Sequence, residues 1–320
     1  MGELLHKRAG LLVGLGLAVA LVVVLVVTGE KQSLVIGTVT GSAYGLVALG
    51  LVLIYKSSGV FNFAQGEFGT VALCVLYLLH VNDVPYGLAV LGALAAAMLF
   101  GFLTERIVVR PLFDAPRVTL LVATAGVALL AIAIQTWFFE AQGRPIARAF
   151  PRLDRVTVLG VQISDQRLWL IGTLAVLAVV LGLFFTRTNL GLAIIGASQD
   201  ATATELAGIS VRRLSTFTWV LAALLGGLAA VIAVPDTGQF TPGIMTSGYL
   251  IPAFTAAVLG GMTSLPGAFI GGVLVGIIQS VATSADVFAD IPGTPSTLIV
   301  FLVLLAVLIV RPQGLLGRST

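Results

Sequence analysis

Apolar residues arrive in this chain in long runs that no soluble core could absorb. They fall at about 10–28, 34–55, 60–79, 86–108, 118–139, 168–186, 214–234, 249–261, 266–283 and 296–310. Crossing a bilayer as a helix takes roughly 20 apolar residues, fewer where the segment is broken or supported by protein. The runs are too long and too continuous for barrel strands. Composition agrees: 58% of the 320 residues are hydrophobic and 10% are charged, against roughly 25% charged in soluble domains. The expectation is an all-α membrane bundle of about ten transmembrane helices, forming a single domain over 1–320. The N-terminus resembles a signal peptide, with His6, Lys7 and Arg8 ahead of an apolar run. That run exceeds the usual ~7–15 residues and no A-x-A site follows, so it reads as an uncleaved first span.

Orientation follows from the cations. With ten crossings, Lys7, Arg8, Lys56, Arg106, Arg110, Arg117, Arg187, Arg212, Arg213, Arg311 and Arg318 share one face. The positive-inside rule makes that face cytoplasmic, with both termini on it. The segment 140–167 then lies outside, although it carries Arg144, Arg148, Arg152, Arg155 and Arg167 against Glu140, Asp154 and Asp165. External arginines make sense against an acidic surface, either a docking protein or anionic lipid headgroups. A solvated loop translocated regardless of its charge is the plainer alternative. Residues 156–164 alternate around Leu159–Gly160, which predicts a small hairpin.

On the cytoplasmic face, 187–213 holds more structure than a turn requires. Ser198 can cap a short helix with Asp200 in its first turn, Thr202 and Glu205 have capping-box spacing, and Gly208 is a stop. Such a helix either docks into a soluble partner or is ordinary loop surface.

Within the spans, Gly37, Gly41 and Gly45 recur every four residues, and Gly226–Gly227 and Gly271–Gly272–Gly276 repeat the theme. Small residues let helices approach closely where lipid removes the hydrophobic drive between them. Two segments interrupt the pattern, NFAQGEFG at 62–69 and GGMTSLPG at 260–267. Ten spans divide as five plus five, and an odd number per half makes the halves antiparallel. Breaks at corresponding places in inverted halves point to a translocation path. Glu67, with Asn62 and Gln65 beside it, either lines that path or caps a helix start near the cytoplasmic surface. Gln135 and Gln279 read as hydrogen-bond glue between helices.

Several chemistries are excluded. The net charge of +3 sits in clusters at span ends, as orientation requires, so nucleic acid is not a partner. One cysteine, Cys74, and two distant histidines, His6 and His80, supply no disulfide framework or metal centre. There is no G-x-x-x-x-G-K-[ST] loop and no Gly-Lys pair, no H-E-x-x-H and no G-x-S-x-G. No span carries the chain of buried acids or histidines that proton pumping needs. Energy for active transport would come from another subunit.

The run 41–55, GSAYGLVALGLVLIY, followed by GVFNFAQGEF at 59–68, resembles the signature of LivH-type permeases of branched-chain amino-acid ABC importers. GLAIIGASQDATATELAGISV at 191–211 resembles their coupling loop, and AVLGGMTSLPGAFIGG at 257–272 and RPQGL at 311–315 match as well. The resemblance implies a permease subunit, itself not an enzyme, in the bacterial inner membrane. Its partners would be a second, LivM-type permease, two cytoplasmic ABC ATPases holding ATP and Mg, and an extracytoplasmic substrate-binding protein. Carried over by residue, Gly191, Ala197, Asp200, Leu206 and Gly208 match the coupling pattern, with Ser198 and Glu205 in the same helix. Asn62, Gln65, Glu67, Gly260 and Gly261 would line the path, and Arg144, Arg148, Arg152 and Arg155 would meet the binding protein. Gln65 stands where the family usually has His, and Leu192 where a basic residue is common. A urea, short-amide or sugar permease of similar build is the nearest alternative. A non-transporting scaffold or receptor and a lone ion-coupled carrier are alternatives from other classes.

Overall fold

The computed structural model describes residues 31–113, 115–146, 156–158, 161–163, 165–262, 264–284, 295–310 and 314. Eleven α-helices are seen among them: α1 Lys31–Ser58, α2 Gln65–Val81, α3 Tyr86–Leu103, α4 Arg117–Phe139, α5 Asp165–Arg187, α6 Asn189–Gln199, α7 Ala201–Leu206, α8 Val211–Ala233, α9 Ile251–Gly260, α10 Leu265–Ser284 and α11 Pro295–Val310. A π-helical turn, Thr104–Val109, extends α3, and another, Thr246–Leu250, leads into α9. Among the described residues five helices are long and apolar enough to cross a membrane, or six if the bent pair α5–α6 counts as one span. The apolar helices Gln65–Val81, Thr246–Gly260 and Ser296–Ile309 are shorter. The fold is a multi-pass all-α bundle. The expected first span, 10–28, lies outside the described residues.

Sorting in this bundle follows size rather than polarity. On α3 the buried residues are Ala89, Ala93, Ala97 and Gly101, one per turn, while Leu88, Leu91, Leu99 and Phe102 face outward. Lipid tails are as apolar as leucine, so large side chains gain nothing by turning inward, whereas small ones let backbones meet. The centre is formed by α1 and α8, both largely buried, with α3 and α4 facing outward. The tightest seam joins α1 to α10: Gly37 lies against Gly276 and Ile277, Gly41 against Gly272 and Val273, Gly45 against Phe269 and Gly272. A hydrogen bond from Tyr44 Oη to Gln279 Oε1 at 2.6 Å crosses the same seam, the gluing role expected of Gln279.

The helix pairings repeat. As α1 packs on α10, α8 packs on α3; as α2 packs on α8, α9 packs on α1; α2–α3 matches α9–α10, and α2–α4 matches α9–α11. Two small antiparallel strand pairs complete the fold. β1 Arg144–Pro145 pairs with β4 Gln239–Phe240, and β2 Val156–Val158 pairs with β3 Val161–Ile163 as the alternation at 156–164 predicted.

Candidate functional site

The run 60–79 is not helical from its start. Beyond α1 the chain turns at Gly59, whose φ of +68° suits glycine, beside the Arg117 guanidinium. Phe61 stacks on Tyr55 and meets Phe254 edge-on. The Phe63 N–H donates to Thr124 Oγ1 of α4 at 3.3 Å, and Asn62 Oδ1 accepts from the Ala64 N–H at 3.0 Å. α2 then begins beside Gly50, eight residues back along α1 from Ser58. At 1.5 Å per residue that is about 12 Å inside the bundle. The helix start thus lies inside the bundle rather than at its rim, and it places Glu67 in a first helical turn, as one of its two readings had it.

Polar side chains gather at this start. Gln65 Nε2 donates to the Ala222 carbonyl of α8 at 3.0 Å. Glu67 is fully buried in the first turn of α2, where the helix dipole favours a carboxylate. Its Oε2 accepts from Gln135 Nε2 of α4 at 2.7 Å, and Gln135 Oε1 accepts from the Gly243 N–H at 3.0 Å. The Met245 N–H donates to Thr70 Oγ1 at 3.4 Å, and Gly66 abuts Thr246. One carboxyl and one amide thus bind α2, α4 and the entry to the second π-turn together, and Gln135 is the interhelical glue expected of it. Asn62 Nδ2 and Gln65 Oε1 have no hydrogen-bond partner among the described residues, while the Thr246 and Thr70 hydroxyls face the Glu67 carboxyl. Leaving such groups unmet in a buried site costs about 1–3 kcal/mol each. Polar groups in such a place are ones that water or a polar solute can satisfy.

Gly260 and Gly261 do not join this cluster. Gly260 is fourteen residues beyond Thr246, about 21 Å along a helix. Its backbone and that of Gly267 are in contact, closing the α9–α10 hairpin, and Gly261 makes the turn at φ +99°.

The 187–213 segment forms two helices, not one. α5 and α6 meet at 75°. Thr188 makes the corner, accepting from the Gly191 N–H at 3.0 Å and donating to the Phe184 carbonyl at 2.7 Å. A side chain at Gly191 would strike the Phe184 carbonyl. Ser198 falls in the last turn of α6 and its side chain lies outside the described residues; the half-buried Ala197 precedes it. The cap of α7 is Asp200, whose Oδ1 accepts from the Ala203 N–H at 2.9 Å. Thr202 falls inside α7, so the capping box it was to form with Glu205 is not the cap. Gly208 does stop the helix, at φ +83°. The Ile209 N–H bonds the Thr204 carbonyl and the Gly208 N–H bonds the Glu205 carbonyl, the Schellman pattern. Glu205 and Leu206 are exposed at its end, Leu206 at 86%.

Of the four arginines expected to dock a binding protein, only Arg144 is described. Its Nε donates to the Phe139 carbonyl at 3.1 Å and its Nη2 lies 3.7 Å from Glu140 Oε2. Glu140 reverses the chain at φ +59°, and Arg144 braces that reversal. Arg148, Arg152 and Arg155 lie outside the described residues. Sequence reasoning missed Glu105, buried in the first π-turn and accepting from Thr216 Oγ1 of α8 at 3.0 Å. Arg106 beside it disguises it as an ordinary boundary charge. Thr246 was missed too, since a threonine in an apolar run carries no distinguishing signal.

The BraD permease protein of high-affinity branched-chain amino acid transport in Pseudomonas aeruginosa is 33% identical over 303 residues, covering 90% of this chain and 95% of that protein. The corresponding LivH protein of Escherichia coli K12 is 28% identical over 306 residues, 90% of this chain and 95% of that one. A probable LivH permease from Methanocaldococcus jannaschii is 26% identical over 304 residues, with 90% and 93% covered. The family described as branched-chain amino acid transport system, permease component, matches residues 33–310, from the first turn of α1 to the last residue of α11, and the chain belongs to it.

Proposed function

We propose that this chain is the transmembrane permease subunit of an ATP-driven importer for branched-chain or related small amino acids. The observation that carries the reading is the near full-length match to relatives named for that transport. The chain is a multi-pass inner-membrane protein, and ATP and Mg belong to two cytoplasmic ATPases that it contacts, not to itself. A binding protein outside delivers the solute, and a second permease of LivM type completes the membrane part.

The end of the bundle bearing Lys56 faces the cytoplasm. Support comes from the contacts gathered there: Gly59 beside Arg117, Glu105 with Thr216 near Arg212, and Lys56 sharing a cavity with Thr186 and Gln199. Both termini fall on the same side if 10–28 crosses, giving ten crossings, with 140–167 outside and 187–213 inside as the coupling loop of a single permease domain. The mirrored packing supports an inverted repeat of α1–α4 on α8–α11, four helices each rather than five. In that repeat α1 runs toward the cytoplasm and α8 away from it, so the break at 59–64 corresponds to the irregular stretch 234–245.

Solute passes where these breaks meet, along Asn62, Gln65 and Glu67. Gly260 and Gly261, away from that cluster, act as the hinge of the α9–α10 hairpin. ATP binding moves α7 through Asp200, Glu205, Leu206 and Gly208. The stiff corner at Gly191 and the turns through Ala197 and Ser198 carry that motion to α5. Arg144, Arg148, Arg152 and Arg155 receive the binding protein. Alternating access then needs no covalent chemistry from this chain.

Reconstitution tests the proposal. Vesicles holding the chain with its second permease, ATPases and binding protein should accumulate labelled leucine only when ATP is supplied. Uptake by the isolated chain without an ATPase, or a complex that moves urea but no amino acid, would overturn it.

A further inference from the structure

A cavity of about 570 Å³ lies away from the Glu67 cluster, between α1, α5–α6 and α10. Each helix lines it in the same sense. Going toward the Lys56 end, α1 passes from Leu49 to Lys56, α5 from Leu181 to Thr186, and α10 in reverse from Ile270 to Ser264. Five to seven residues separate the members of each pair, so the apolar body lies about 8–10 Å deeper than the polar mouth. Gln199 of α6 adds an amide at the mouth, and the exposed Arg187 follows Thr186 directly. Ile270 is half exposed, so the cavity opens sideways at a face turned toward lipid.

Most of these walls are apolar, whereas the mouth carries the Lys56 ammonium together with Thr186, Gln199 and Ser264. The shape and charge fit an amphiphile with a hydrocarbon tail and an anionic head. We infer that this cavity binds an anionic phospholipid, its acyl chain in the apolar body and its phosphate at the Lys56 mouth. Basic pockets between spans on the cytoplasmic side take such headgroups. Which leaflet supplies the lipid rests on the orientation proposed above; the binding itself does not. Because α5 and α6 form one wall, an occupied cavity braces the corner through which coupling motion passes.

Native mass spectrometry of the full chain in mild detergent tests this, with phosphatidylglycerol and phosphatidylcholine of identical acyl chains as probes. The wild-type chain should retain phosphatidylglycerol about fivefold more than phosphatidylcholine, the effect of one cation at a headgroup. Lys56→Gln should lower phosphatidylglycerol to the phosphatidylcholine level. Gly182→Trp should expel both lipids, since Gly182 lines the cavity and a side chain there meets no neighbour at Cβ. Equal retention of the two lipids by wild type, or wild-type retention by Gly182→Trp, would overturn the inference. Should a variant fail to elute as a folded species, wild type is labelled with phosphatidylglycerol carrying a photoreactive acyl terminus. Adducts in 181–186 or 265–270 support the site, and adducts confined elsewhere reject it. None of these readouts involves transport, so a failure here leaves the importer reading standing.

Discussion

The seam between α1 and α10 and the junction where α2 meets α4 hold helices together by opposite means. At the seam, glycine faces glycine and backbones touch, while the side-chain bonds Tyr44–Gln279 and Ser33–Ser284 also cross it. At the junction, Glu67, Gln135, Thr70 and the Gly243 and Met245 amides form hydrogen bonds across three elements, with polar atoms left over. A close-packed seam has one good arrangement, because any separation loses contacts with nothing gained. A hydrogen-bonded junction has others, since a solute or water can replace each bond at small net cost. The seam is therefore a rigid plank, and the junction is the place where the planks can part.

The largest effect should come from breaking the seam. Gly41→Leu would bring Cβ within 2.6 Å of the Gly272 carbonyl oxygen and 2.7 Å of Val273 Cα. Backbone cannot yield as a side chain end can, so the loss should reach about 3 kcal/mol or more. Thermal unfolding in nanodiscs, or failure to elute as a single species, reads it. Near-normal melting would mean that the two helices do not meet there, and the plank would be gone from the argument.

The junction should respond in function before stability. Glu67→Gln keeps an acceptor for Gln135, so melting should move little while uptake falls more than about tenfold, as expected if the carboxylate serves the path. Glu67→Ala strands Gln135 Nε2 and should cost about 1–3 kcal/mol. A double-mutant cycle with Gln135→Ala should give a coupling near 0.6–1.7 kcal/mol, the range for hydrogen bonds between membrane helices. A coupling of zero would show that the pair is not bonded, and full uptake by Glu67→Gln would remove the carboxylate from the path.

The seam was readable in the sequence and the junction only half so. Glycine at 37, 41 and 45 can face only a neighbour that comes close, and spacing alone reveals that. The stop at Gly208 was equally legible, because left-handed backbone selects glycine. Residues 60–64 were not, since Val60, Phe61, Phe63 and Ala64 look the same to hydropathy whether extended or helical. What decides is burial of the break against α4 and α9, which no local pattern encodes. Gln135, which bonds Glu67, sits 68 residues away, so the sequence marked the acid without naming that bond. The cap of α7 was displaced by two residues because Ser198 and Asp200 are both good caps. Ser198 is taken up in the last turn of α6, which runs to Gln199, so Asp200 makes the cap.

A smaller effect separates the exposed arm from both buried regions. At Gly208 a side chain has open space but a φ of +83°, which costs an L-residue roughly 1–2 kcal/mol. Gly208→Val should fray α7 and release ATPase activity from uptake while bundle melting stays unchanged. Gly208→Asn should restore much of the coupling, because asparagine tolerates the left-handed region. Equal coupling by Val and Asn would mean that the turn does not transmit motion.

The smallest effect should be at Arg144, where two readings of one cation diverge. Its pairing with Glu140 spans 3.7 Å and Glu140 is 68% exposed at the side chain, so the pair contributes less than about 1 kcal/mol. Its bond to the Phe139 carbonyl is made inward, toward the end of α4. An arginine held this way turns its Nε–Nη2 edge to its own chain and offers an acidic partner mainly its Nη1 end. Arg144→Gln should therefore change binding-protein affinity by less than about twofold at low salt, and Arg148→Glu by more than about tenfold, both differences shrinking as ionic strength rises. A strong, salt-sensitive loss at Arg144 alone would reverse the assignment, placing the docking contact on the braced turn.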